Sequence, residues 1–132
     1  MKFLSLILSW RVFNIYSKFV YVILKLKGIR VGKNFYIQGV PFLKIRGNVK
    51  NIKIDDNVTI NGDIDIRNRE NGKIKIFKNV KIDTNSRFIA ANNATLTIGE
   101  GCRIGPYSIF NCGEDVTIGN DSIFGGYCYF QS

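Results

Sequence analysis

Residues 96–130 read LTIGEGCRIGPYSIFNCGEDVTIGNDSIFGGYCYF. Large apolar residues fall at Ile98, Ile104 and Phe110, then at Ile118, Phe124 and Phe130, six apart within each triplet. The same register runs upstream through Ile76, Ile82 and Phe88, and through Ile54, Ile60 and Ile66. A degenerate first triplet is Val31, Ile37 and Leu43. Two positions before each triplet stands another apolar residue: Ile29, Ile52, Ile74, Leu96 or Val116. Triplet starts are separated by 23, 22, 22 and 20 residues. A fixed period in this range marks a solenoid, in which each repeat buries its apolar ladder against its neighbours.

The other hexad positions agree. Position two is mostly Gly, Asn or Asp, as in Gly32, Asp55, Asn61, Asp83, Gly99 and Gly105. Such residues tolerate tight corners and positive φ, so left-handed backbone is expected there. Position five is often small, as in Val58, Val80, Ser86, Cys102, Ser108, Ser122 and Cys128, which suits the inside of a narrow coil. Turn formers separate the coils at Asn68–Gly72, Ala91–Asn93 and Gly113–Asp115. The expected fold is an all-β solenoid over residues 29–132. It is a parallel β-helix of about five coils, each made of three short strands and three corners.

Residues 1–28 are different. FLSLILSWRVFNIYSKFVYVILKLK, residues 3–27, has no Gly or Pro before Gly28, so a helix ending there is expected. Arg11, Asn14, Lys18, Tyr21 and Lys25 are spaced 3, 4, 3 and 4 apart, which puts them on one stripe. The remainder is a wide apolar body. Arg11 and Lys18 interrupt it too early for a membrane pass, and no small-residue cleavage site follows it. Two roles are compatible with this amphipathic helix. It lies in an anionic membrane interface, with Arg11, Lys18 and Lys25 snorkelling and Trp10 at headgroup level, or it caps the domain behind it. The charge favours a surface partner: residues 1–54 hold 11 Lys+Arg and no acid, whereas residues 55–132 hold 8 against 10.

Other classes are excluded or weak. The chain has 132 residues, 45% of them hydrophobic, which fits one domain and argues against disorder. It has no His, so a His-ligated metal site, a Ser-His-Asp triad and a His general base are excluded within these residues, and no metal is expected. The three Cys, at spacings of 10 and 16, make neither a CxxC pair nor an even framework. Unpaired thiols suit a reducing compartment, with Cys102 and Cys128 buried and Cys112 exposed. Net charge is +9, but no nucleic-acid-binding motif accompanies it, and no GGxGxD calcium repeat occurs.

The runs IGEGCRIGPYSIF (98–110) and IGNDSIFGGYCYF (118–130) resemble the signature [LIV]-[GAED]-x-x-[STAV]-x of the hexapeptide-repeat acyltransferases. The similarity is greatest to the sugar O-acetyltransferases of bacterial surface-polysaccharide and lipopolysaccharide synthesis, and it covers residues 29–132. It implies left-handed winding, acetyl-CoA as acyl donor, a homotrimer with sites between adjacent β-helices, and no metal. It also implies a sugar acceptor, as a glycan or a nucleotide- or lipid-linked sugar, and a cytoplasmic location peripheral to the inner face of the plasma membrane. In that family a His takes the proton from the acceptor hydroxyl and a backbone N–H stabilises the oxyanion. Here the His is expected beyond Ser132, as are further coils, so the 132 residues are expected to be inactive alone, with an open apolar ladder at Phe124–Phe130. Asn111, Cys112, Tyr127, Tyr129, Gln131 and Ser132 are the candidate substrate contacts. The competing expectation is a non-catalytic, truncated β-solenoid scaffold or a membrane-surface binding module.

Overall fold

The computed structural model describes residues 2–132, with the side chains of residues 2–8 left aside. It is a parallel β-helix of about five coils preceded by one helix, α1 (Lys2–Leu26). Three five-stranded parallel sheets form its faces. The first sheet contains Arg30–Val31, Ile52–Ile54, Lys73–Ile76, Thr95–Ile98 and Val116–Ile118. The second contains Tyr36–Ile37, Thr59–Asn61, Lys81–Asp83, Arg103–Ile104 and Ile123–Phe124. The third contains Pro41–Ile45, Ile64–Asn68, Ser86–Ala90, Ile109–Cys112 and Tyr129–Gln131. This architecture is consistent with the left-handed winding that the resemblance implies.

The register explains the six-residue period. Ile54 pairs with Val31 and Ile76, Ile60 with Ile37 and Ile82, and Ile66 with Leu43 and Phe88. Each first-position residue therefore lies on its counterpart in the coils above and below. Ile60, Ile66, Ile76, Ile82, Phe88, Ile98 and Phe110 are at most 1% exposed. Burial of such a side chain is worth about 1.5–3 kcal/mol. Phe88 and Phe110 stack at 5.5 Å, and Phe110 and Phe130 at 5.9 Å.

The corners follow a different rule from the one expected. Left-handed backbone occurs at position four, not position two: Asn34, Asn57, Asn79, Asn85, Gly101, Tyr107, Asp121 and Tyr127 all have φ between 53° and 75°. Asn34 Nδ2 donates to Asn57 Oδ1 at 2.9 Å, so the corners are also laddered. Position two is small because of close approach. A Cβ on Gly105 stands 2.7 Å from Gly126 Cα of the next coil. Where position two is Asp, the carboxylate turns back on its own corner, as Asp55 Oδ1 accepts from Asp56 N and Asp83 Oδ1 from Thr84 N. Position five closes the corner, since Ser108 Oγ donates to Gly105 O at 3.0 Å and Ser122 Oγ to Gly119 O at 2.7 Å.

α1 ends in a Schellman motif. Ile29 N donates to Leu24 O and Gly28 N to Lys25 O, with Gly28 at φ 93°. One face of the helix packs on the first coil through Ser17, Val20 and Leu24, each at most 5% exposed. Ser17 Oγ accepts from Ile37 N at 2.8 Å and lies 2.6 Å from Phe13 O, to which it donates. Tyr16 Oη donates to Gly39 O. The helix thus covers the apolar end of the first coil and pairs backbone groups of its edge strand. At the other end the final strands carry half-buried Phe124 and Phe130 at 44% exposure.

Two substitutions separate the two corner rules. Gly105→Ala is expected to cost about 1–3 kcal/mol by overpacking against the next coil. Asn79→Gly is expected to change stability by less than about 1 kcal/mol, since glycine accepts the left-handed corner. Thermal denaturation of both variants checks this.

Candidate functional site

The third sheet has the longest strands, and its outer face builds the most developed surface feature. Successive coils place Phe42, Asp65, Arg87, Ile109 and Tyr129 side by side in one outward row. At the corner beside this row, Asn85, Tyr107 and Tyr127 occupy equivalent positions in three consecutive coils. All of these except Tyr129 line an open cleft of about 480 Å³, whose charged and aromatic groups are Phe42, Asp63, Asp65, Arg87, Tyr107 and Tyr127.

Its charged floor is organised. Arg67 Nε and Nη2 donate to the two carboxylate oxygens of Asp65 at 2.9 Å each, and Arg87 Nε lies 3.2 Å from Asp65 Oδ2. Partial burial pushes the Asp65 carboxyl up, but the two guanidinium groups outweigh it and hold it below the ordinary carboxylate range. The same contacts raise Arg67. Asp65 is therefore a poor proton acceptor near neutral pH and a good anchor for donors.

Its aromatic wall is strained. Tyr107 and Tyr127 adopt φ of 57° and 53°, a region that bulky residues avoid at a cost of about 1–2 kcal/mol each. Their rings stack at 5.4 Å with an interplanar angle of 9°, which returns about 0.5–1.5 kcal/mol. Both stay exposed, Tyr127 at 79%. Asparagine or glycine fills most equivalent corners, so stability does not account for tyrosine here.

The candidate substrate contacts divide. Tyr127 lines the cleft. Tyr129 follows Ile109 in the outward row, and its hydroxyl donates to Gln131 Oε1 at 3.0 Å. Asn111 pairs with Gln131 one row further along. Ser132 lies by a different corner, where its hydroxyl accepts from Glu114 N and donates to Glu114 O. Cys112 corrects the expectation of an exposed thiol. It is 1% exposed, because side chains alternate along Ile109–Cys112 and it follows Phe110 to the inside. Burial raises its pKa, so it is kept as a thiol. Cys102 is buried as expected and donates to Gly119 O, whereas Cys128 is only half-buried. Phe42, Asp65, Arg87 and Tyr107 were missed by the sequence reading, although the coil spacing aligns them.

At the other end, Lys18 and Tyr21 of α1 line a groove against Lys33 and Tyr36 of the first coil. Arg11, Lys18 and Lys25 are exposed, and Lys25 Nζ lies 4.8 Å over the Tyr21 ring. No helix among the described residues is long and apolar enough to cross a membrane. Comparison with protein-family models, curated proteins and solved structures finds no match.

The Asp65 cluster has a pH signature. A lowered carboxylate pKa contributes stability above the unfolded value near pH 4 and loses it as pH falls through the folded value. Asp65→Asn is expected to melt at a lower temperature than the parent at pH 7. The difference is expected to shrink as pH falls from the unfolded value through the lower folded value, as melting curves across pH will show.

Proposed function

We propose that this chain is the acceptor-binding β-helix of an acetyl-CoA-dependent O-acetyltransferase acting on a sugar hydroxyl in surface-polysaccharide synthesis. The acyl donor and the glycan class rest on the resemblance of residues 98–110 and 118–130 to the hexapeptide repeat. A homotrimer belongs to the same proposal, with the open face of the third sheet turned toward a neighbouring protomer.

The observation that carries the acceptor assignment is the strained, exposed Tyr107–Tyr127 stack beside Asp65 and Arg87. A pyranose presents an apolar C–H face and a rim of hydroxyls. The C–H face suits the electron-rich tyrosine surface, and the hydroxyls suit a carboxylate and a guanidinium.

Direct transfer from acetyl-CoA requires removal of the hydroxyl proton as the oxygen attacks the thioester carbon, with the thiolate of coenzyme A leaving. The proposed division of labour is binding without base catalysis. The 132 residues contain no His, Asp65 is held ionised between two arginines, and Cys112 is sealed as a neutral thiol. The absence of a base also favours the second reading, a non-catalytic scaffold.

Saturation-transfer NMR with nucleotide sugars and lipid-linked saccharides tests the assignment, alongside a thiol-release assay with acetyl-CoA. Expected is sugar binding without coenzyme A release, weakened about two- to tenfold in Tyr107→Asn/Tyr127→Asn, the loss of roughly one stacking contact. That variant keeps the corner conformation of Asn85 and is expected to fold normally. No sugar binding, or binding unaffected by the substitutions, favours the scaffold. Coenzyme A release by the chain alone contradicts the missing base.

A further inference from the structure

α1 has two apolar faces, and the fold uses one. Ser17, Val20 and Leu24 face the first coil. Val12, Ile15, Phe19, Val22, Ile23 and Leu26 lie on the opposite side and are exposed, Ile15 at 71%, Phe19 at 65% and Leu26 at 82%. Scattered exposed apolar residues need no account, but six on one face of one helix do.

The surroundings of that face select its occupant. Arg11, Lys18 and Lys25 run along one border of it, between the free and the docked face. Residues 1–54 contain no acid, and none of the salt bridges among the described residues involves these three cations. A second copy docked face to face sets the two cationic borders on the same side when antiparallel and leaves each border unpaired when parallel, in neither case with a counter-charge from α1. A basic or neutral partner leaves them equally unpaired. An anionic bilayer satisfies both features: the apolar face enters the acyl boundary and the cations reach lipid phosphates. α1 does not span, since its length carries too many interruptions.

We propose that α1 is an in-plane membrane anchor whose inner face caps the β-helix and whose outer face enters an anionic lipid surface. The anchor is rigidly joined to the solenoid through Ser17 and Tyr16, so docking also sets the orientation of the β-helix on the membrane. Trp10 continues the inward line of Phe13 and Ser17 but is 62% exposed, beyond the cover of the first coil.

The test uses the full 132-residue chain with vesicles of phosphatidylcholine alone, or of phosphatidylcholine with phosphatidylglycerol. Flotation reads binding. Expected is co-flotation with the anionic vesicles. Phe19→Gln/Leu26→Gln is expected to lower partitioning at least about tenfold. Arg11→Gln/Lys18→Gln/Lys25→Gln is expected to abolish the preference for anionic over neutral vesicles. All five substituted residues are exposed and lie off the docked face, and unchanged melting curves confirm intact folding. Failure to float with anionic vesicles overturns the proposal. So does a dimer in sedimentation that dissolves in Phe19→Gln/Leu26→Gln without any vesicle binding, which assigns the face to a second copy. The sugar-binding reading is untouched by either result, since its cleft lies on the third sheet.

Discussion

A coil of this protein cannot stand alone. Its strands are two to five residues long, and each makes its backbone hydrogen bonds only to the coils above and below. Its apolar ladder residues find their partners in those same neighbours. Stability therefore accumulates by nearest-neighbour stacking, and the two ends of the stack become the critical places. α1 solves the problem at one end by covering the first ladder and satisfying the edge backbone through Ser17. At the other end the strands Val116–Ile118, Ile123–Phe124 and Tyr129–Gln131 keep an unpaired edge, and Phe130 is partly exposed.

The parts of the fold that were legible in the sequence are those governed by burial. An inward position occupied by Ile or Phe every six residues has one physical cause, so its pattern reads directly. The corners have two causes. Close approach at Gly105 and left-handed backbone at Asn79 both select small or Asx residues. Composition alone does not separate them, and the left-handed position is concealed where tyrosine replaces asparagine. Cys112 was misplaced because the corner pattern was followed where strand alternation governs. The cleft depends on residues such as Phe42, Asp65 and Arg87, about one coil apart, whose neighbourhood exists only once the coils are in register. The double-sided character of α1 was partly readable: the cationic stripe was visible, but which apolar arc belongs to the core emerges only from docking.

The two functional regions follow from the same construction. Stacking repeats a surface position at a spacing set by the backbone, so a mismatch between coils stands out. Tyrosines at two successive left-handed corners are such a mismatch, and so is a carboxylate held between Arg67 and Arg87 on an otherwise simple face. The helix adds a second surface, apolar with a cationic border, joined to the solenoid without a linker. If both proposals hold, the chain sets its cleft at a fixed position relative to a membrane plane.

The central claim is that one continuous core runs from the inner face of α1 through the coils of residues 29–132, closed by the helix and losing cover toward Phe130. Amide hydrogen exchange of the intact chain tests it most directly. The account predicts slowest exchange in the strands Lys73–Ile76, Lys81–Asp83, Ser86–Ala90 and Thr95–Ile98. Protection then falls toward Tyr129–Gln131, while Ser17–Leu24 of α1 stays as protected as the first coil. Rapid exchange throughout α1 over a protected first coil, or uniform protection through to Tyr129–Gln131, contradicts it.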